Sequence, residues 1–178
     1  MKQGLVFWFT GLSGAGKTTL AESVRGRLNE QGIKTSILDG DDVRNRLHKH
    51  LGFSEAEIKE NNTLIAELCM EERQQANVVL VPIISPYLES RANAREQLSP
   101  GFFEVHIRAD ISELEKRDTK GLYEKARNGK MDNLIGYSSG APYEPPESPD
   151  LVIDTGVFDF NDALENLCSF ILSHIHNG

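Results

Sequence analysis

The run Gly11-Leu12-Ser13-Gly14-Ala15-Gly16-Lys17-Thr18 lies directly behind the apolar stretch Leu5-Val6-Phe7-Trp8-Phe9, and it constrains this chain more than any other segment. It has the form G-x-x-x-x-G-K-[ST] after a strand, which is the phosphate-binding loop of nucleoside triphosphatases and kinases. Gly11, Gly14 and Gly16 let backbone N–H groups turn inward and approach phosphate oxygens without a Cβ in the way. Ser13, Ala15 and Thr19 belong to the same wrapped backbone. Lys17 supplies a cation to the β- and γ-phosphates, and the Thr18 hydroxyl is placed to ligate Mg²⁺. The helix that follows starts beneath the phosphates, so its positive dipole end adds to the site. The motif therefore predicts a nucleoside triphosphate as a ligand, with Mg²⁺.

Strand-like apolar runs appear at 4–10, 34–39, 77–84, 102–108 and 150–154, and Val78-Val79-Leu80-Val81 has the continuity of a strand buried on both faces. Helical patterns lie between them at 17–31, 42–50, 54–75, 88–98, 110–118 and 161–176. This alternation predicts an α/β fold of the P-loop kinase type, a parallel five-stranded sheet flanked by helices. Gly32 reads as a helix stop, and Ser54 with Glu57 as a capping box. A chain of 178 residues suits a single domain over 1–178. Residues 119–149 fit no regular element, being rich in Gly, Ser, Pro and basic residues. A loop of that length is usually functional or disordered. In a P-loop kinase it would be a mobile lid that closes over the phosphates.

The net charge of −8 argues against a general nucleic-acid binder or a binder of anionic membranes, while leaving room for an anionic small substrate. No apolar run reaches membrane-spanning length, and Met1-Lys2-Gln3 leads into a strand rather than a signal peptide. Cys69 and Cys168 sit in apolar helical contexts and read as buried free thiols of a cytoplasmic protein.

The second strand runs into Leu38-Asp39-Gly40-Asp41-Asp42-Val43-Arg44. Ligands gather at the carboxyl ends of strands in an open parallel sheet, so these acids point toward the crevice of the phosphate loop. A carboxylate there can hold Mg²⁺ or its water, or accept the proton of an attacking hydroxyl. The other use of these residues is an acidic helix N-terminus with an i,i+3 ion pair. Facing a phosphate loop, the metal or base role is the stronger one.

From these residues outward the chain resembles the adenylylsulfate (APS) kinases. The resemblance is carried by Gly11 through Thr19, Leu38-Asp39-Gly40-Asp41 with Arg44, Leu51-Gly52-Phe53-Ser54 and Ile84-Ser85-Pro86-Tyr87. It continues through Arg117-Asp118, Lys120-Gly121-Leu122-Tyr123, Lys125-Ala126-Arg127 and Pro142-Tyr143-Glu144, from about residue 4 to 156. That family transfers the γ-phosphoryl group of ATP to the 3′-hydroxyl of adenylyl sulfate. The resemblance implies ATP-phosphate contacts from the 11–19 loop and Lys17, with Thr18 and Asp39 at the metal. It implies Asp41 as general base, with Asp39 and Lys17 as its catalytic companions. Arg44, Asn61 and Lys120 would hold the acceptor's anionic groups, Phe53 would stack on its base, and Ile83 and Ser85 would line its pocket. Arg117 and the loop after Asp154-Thr155 would serve the donor nucleotide, and Lys125 and Arg127 would belong to the lid. The family tends to dimerise. Apolar positions along 54–75 suit a homodimer interface and ordinary core packing equally.

The departures from the family pattern fall on the acceptor side. Its block Asp-Arg-x-x-Asn-Ile-Arg-Arg stands here as Glu57-Ile58-Lys59-Glu60-Asn61-Asn62-Thr63-Leu64, so Ile58, Thr63 and Leu64 replace three arginines. Lys59 lies about 100° around the helix from Ile58 and is no automatic substitute. Leu134 takes the place of the second aromatic that sandwiches the acceptor base, with Tyr137 nearby as a replacement, and Leu88 stands where an arginine is common. The lost charge-assisted contacts keep two acceptors open. One is adenylyl sulfate itself. The other is a different nucleotide such as cytidine diphosphoramidate, the acceptor of a relative in capsule biosynthesis. A non-catalytic ATP-binding regulator is a third reading, which retention of Lys17, Thr18, Asp39 and Asp41 disfavours.

Overall fold

Residues 3–46 and 49–177 are described in a computed structural model, with the side chains of Asp41, Asn45, Arg46 and Asn177 outside that description. Five strands form one sheet: β1 (Leu5–Thr10), β2 (Thr35–Ile37), β3 (Val78–Pro82), β4 (Phe102–Arg108) and β5 (Leu151–Asp154). All pairings are parallel and the spatial order is β2-β3-β1-β4-β5. The helices are α1 (Lys17–Glu30), α2 (Gly40–Arg46), α3 (Glu55–Glu72), α4 (Leu88–Leu98), α5 (Ile111–Arg117), α6 (Leu122–Arg127) and α7 (Phe160–Asn177).

The central strand β1 is apolar at every second position twice over. Phe7 and Phe9 face one layer with Leu20, Val24, Leu28, Leu167 and Ile171, and Val6 and Trp8 face the other with Ile65, Cys69, Leu98 and Phe102. A strand sandwiched this way needs no polar face, which is why its sequence reads as a continuous apolar run. The apolar stripe of α3 is used inside this second layer, so Ile65, Ala66 and Cys69 serve the core rather than a homodimer face. Burial raises the Cys69 and Cys168 thiols above their ordinary range, and both are free.

Helix ends follow their sequence signals. Ser54 caps α3, accepting from the Glu57 amide while the Glu57 carboxylate accepts from the Ser54 amide. Gly32, at φ 76°, closes α1 with its amide on Asn29 O. The helix expected over 42–50 starts earlier, at Gly40, because Asp39 accepts from the Asp42 and Val43 amides. The segment 119–149 is more regular than its composition suggests. It contains α6, whose start is held by the Asp118 carboxylate accepting from the amides of Tyr123 and Glu124 at 3.1 and 2.8 Å. The rest of it lies against the strand ends through Leu134, Tyr137 and Tyr143 rather than standing away from the body.

Candidate active site

Because β1 is central, the loop that leaves it lies over the middle of the sheet's carboxyl edge. Gly11 is at φ 149°, and a Cβ there would sit 2.1 Å from Ile107 O of β4. Only glycine lets the loop root pass that close to its neighbour strand. Gly11 therefore anchors the loop from behind and does not line the cleft above it. Gly16, at φ 95°, delivers the chain into α1. Lys17 is 8% exposed and curls back, its Nζ donating to Gly11 O at 2.9 Å and Leu12 O at 2.8 Å. The Tyr123 hydroxyl donates to Ser13 O at 2.8 Å, and burial pushes its pKa up to about 12, so the proton that makes this bond is retained.

The loop opens into a cleft of about 960 Å³. Ser13, Gly14, Ala15, Gly16, Lys17, Thr18 and Thr19 form its floor. Strands β2 and β3 bring Asp39, Arg44, Ile83 and Ser85 to one side, with Phe53, Ile58 and Asn61 above them. Strands β4 and β5 bring Arg117, Thr155 and Phe158 to the other side. Lys120 and Leu134 descend from the segment between α5 and β5. The residues expected to bind the donor, the acceptor or the metal thus line one cleft, except Gly11, which lies behind it, and Asp41, whose side chain lies outside the described residues.

The Thr18 hydroxyl donates to Asp39 Oδ2 at 2.8 Å. A hydroxyl oxygen and a carboxylate facing each other at the mouth of a phosphate loop are hard oxygen donors of the kind Mg²⁺ takes, so the residues fit that ion. On the β4–β5 side, Thr155 Oγ1 donates to Ala15 O at 3.0 Å and accepts from Arg117 Nη1 at 3.1 Å, and Arg117 Nη2 also reaches Thr155 O. This chain of bonds ties α5, the loop after β5 and the phosphate loop together.

The opposite side is built differently. Arg44 Nη1 donates to Leu51 O at 3.0 Å and Gly52 O at 2.6 Å, and its guanidinium lies 4.6 Å from the centroid of the Phe53 ring. Arg44 thus orders the loop that presents Phe53, which is 61% exposed. Ile58 and Leu134 face the cleft as apolar walls. Lys59 points elsewhere, pairing with Glu55 at 2.8 Å and Glu89 at 2.7 Å, so it does not replace a cation at position 58. Nor does Tyr137 replace the aromatic at 134. Its hydroxyl donates to Glu115 Oε1 at 2.8 Å and its ring packs edge-on to Tyr123, which turns it away from the cleft. Lys125 and Arg127 sit on α6, exposed and outside the lining.

Several lining residues had no sequence signal. Met131, Asn133 and Ile135 reach the cleft only because their segment folds back over it. Phe158 and Phe160, 41% and 46% exposed at the β5–α7 turn, could have been found as aromatics that no core pattern claims.

Comparison with known proteins gives a consistent picture. Residues 3–154 match the model of the adenylylsulphate kinase family. A probable adenylyl-sulfate kinase of Bacillus subtilis is 43% identical over 167 residues, covering 93% of this chain and 84% of the relative. An adenylyl-sulfate kinase of Geotalea daltonii is 43% identical over 170 residues, covering 95% and 83%. Among solved structures, the Mycobacterium tuberculosis APS kinase CysC in complex with AMPPNP and APS superposes with a TM-score of 0.90 at 36% identity, covering 97% of this chain and 99% of that one.

Proposed function

The chain belongs to the adenylylsulphate kinase family, and on that premise we propose that its cleft carries the γ-phosphoryl group of ATP to the 3′-hydroxyl of adenylyl sulfate. The protein is a phosphotransferase with an alcohol acceptor, built on the fold its relatives share. The observation that carries the reading is the facing arrangement of two unlike walls on one phosphate-loop floor. Lys17, Thr18 and Asp39 are set for a triphosphate, and Phe53, Asn61, Ile83 and Ser85 stand across from them for a second nucleotide.

The roles follow from charge and reach. Lys17 leaves its own-loop carbonyls for the β- and γ-phosphate oxygens, and the loop amides hold the rest of the phosphate chain. Thr18 and Asp39 would hold Mg²⁺, which when bound neutralises charge on the transferring phosphoryl group. Asp41, in the first turn of α2 beside Asp39, accepts the proton of the acceptor hydroxyl. Arg44, Asn61 and Lys120 hold the acceptor's anionic groups, with Phe53 on its base and Leu134 closing the pocket. Arg117 and Thr155 secure the donor end of the loop. The segment 119–149 acts as the lid that keeps water off the phosphoryl group. The reading extends to a cytoplasmic homodimer that handles small molecules and has no nucleic-acid or membrane partner. Among the described residues, no helix is long and apolar enough to cross a membrane.

Ile58 and Leu134 support a second reading of the acceptor. An apolar wall at these positions suits a nucleotide with a less anionic distal group, such as cytidine diphosphoramidate, and the chemistry is unchanged. ADP release measured with adenylyl sulfate and with cytidine diphosphoramidate side by side tests the pair. Turnover with the first supports the main reading, and turnover only with the second replaces it. No acceptor-dependent turnover would leave an ATP-binding regulator. Asp41→Ala is expected to abolish transfer while keeping ATP binding, and near-normal turnover in that variant would sink the choice of base.

A further inference from the structure

Arg91 of α4 is 2% exposed, and its guanidinium joins three separate pieces of chain. Nε donates to Glu104 Oε1 of β4 at 2.6 Å, Nη1 to Ser85 O in the loop after β3 at 2.6 Å, and Nη2 to Glu144 O at the end of the 119–149 segment at 2.7 Å. Ser85 is the residue most in need of such support. It lines the cleft, it sits at φ 44°, a left-handed conformation that side-chain-bearing residues rarely adopt, and its buried hydroxyl has no hydrogen-bond partner among the described residues.

The same two segments are joined again on either side of the guanidinium. The Glu144 amide donates to Pro86 O at 2.8 Å, and the Leu88 amide donates to Glu144 Oε2 at 2.7 Å. The Thr10 hydroxyl, at the root of the phosphate loop, bonds Ile84 O at 2.7 Å and the Tyr143 hydroxyl at 3.0 Å. Glu104 is itself fixed, because Asp150 Oδ2 accepts from its amide at 2.7 Å and from Arg95 at 2.6 Å.

A buried ion pair is poor ballast, since well-packed apolar residues of similar volume are often as stabilising. Its value lies in direction: a planar guanidinium fixes three partners in one plane. We infer that Arg91 is a positioning residue for the acceptor half of the cleft. It holds the strained Ser85 backbone in place and fastens the end of the lid segment to the acceptor wall, so that lid and wall move as one unit. The inference rests on the proposed placement of the acceptor against Ile83 and Ser85. A displacement of that wall by a fraction of an ångström disturbs the acceptor's alignment and leaves the donor's own contacts intact.

The test combines Arg91→Met, Arg91→Lys and Glu104→Gln, kinetics on whichever nucleotide the wild type phosphorylates, and hydrogen exchange of the amides of Leu88 and Glu144. For Arg91→Met the acceptor KM is expected to rise about tenfold or more while the ATP KM stays within about twofold, with partial rescue in Arg91→Lys. Exchange is expected to accelerate at Leu88 and Glu144 and not in α1 or α7, a pattern that Glu104→Gln reproduces more weakly should Arg91→Met fail to fold. Equal changes in both KM values, exchange accelerated throughout the molecule, or no change in either readout would overturn the inference. If the wild type phosphorylates no nucleotide, the functional reading falls. The exchange pattern alone then decides for or against the clasp.

Discussion

The donor and acceptor halves proposed for the cleft solve opposite problems with different parts. The donor half is made of backbone and short ties: loop amides, Lys17 folded onto Gly11 O and Leu12 O, and Thr155 pinned between Ala15 O and Arg117. The acceptor half is made of side chains projecting from loops and a helix, with Phe53 exposed and Ile58 and Leu134 apolar. A triphosphate is the same ligand in every P-loop kinase, and backbone N–H groups read it without regard to side-chain identity. An acceptor has to be told apart from other nucleotides, and only side chains can do that. The donor half is therefore conventional in sequence, while the acceptor half carries the departures from the family pattern at Ile58 and Leu134.

That contrast can be broken at several points. The largest effect is expected from Lys17→Met, which should cut turnover by about 10³-fold or more by removing a charge that matches the transferring phosphoryl group. Thermal stability should change far less than turnover, because the Nζ bonds to Gly11 O and Leu12 O stay within a loop that six neighbouring residues already close. Retained turnover would mean that the donor half does not work through this cation. Phe53→Ala comes next. Loss of a stacking surface should raise the acceptor KM by about tenfold, in line with about 1–3 kcal/mol per stacked base, and leave the ATP KM unmoved. A parallel rise in both KM values would erase the distinction between the halves.

Ile58→Arg sharpens the comparison rather than breaking it. Restoring a cation at the acceptor wall should lower the KM for adenylyl sulfate about fivefold, a charge-assisted contact partly offset by its desolvation. The KM for an acceptor with an uncharged distal group should stay level, and a rise for adenylyl sulfate would show that its anionic end lies elsewhere. The smallest effect belongs to neither half. His106 is held down to about 4 from 6.5 by burial, and then by Arg108 and Arg91. Below pH 6.5 the unfolded chain takes up a proton that the folded one refuses until about pH 4, so stability present above 6.5 is lost progressively as pH falls through that window. Melting temperatures measured across this range should decline less steeply for His106→Asn.

Much of the fold is visible in the order of residues. The five apolar runs became the five strands because a strand buried on both faces leaves an unbroken apolar record. Ser54-Glu57 and Gly32 marked helix ends through chemistry confined to a few neighbouring residues. Helix α6 was hidden because the signal that starts it is the Asp118 carboxylate, and its surroundings in Gly and Lys read as loop. Met131 and Asn133 were hidden as well, since a residue brought to a cleft by a fold-back leaves no local periodicity. Tyr137 and Lys59 show the limit from the other direction. Both were near the right place in sequence, yet bonds to Glu115 and to Glu55 and Glu89 turned them away.

That the Gly11–Thr18 loop follows β1 and that Asp39 meets it across the cleft could be expected from sequence alone, because the signature of a phosphate loop is written in consecutive residues. Which side chains stand across from it, that Arg44 orders the Phe53 loop, and that Arg91 ties Ser85 to Glu144 were decided by tertiary structure. Those contacts join residues 53 apart in the case of Arg91 and Glu144, and no local rule of propensity or spacing relates positions so distant until the sheet has brought them together.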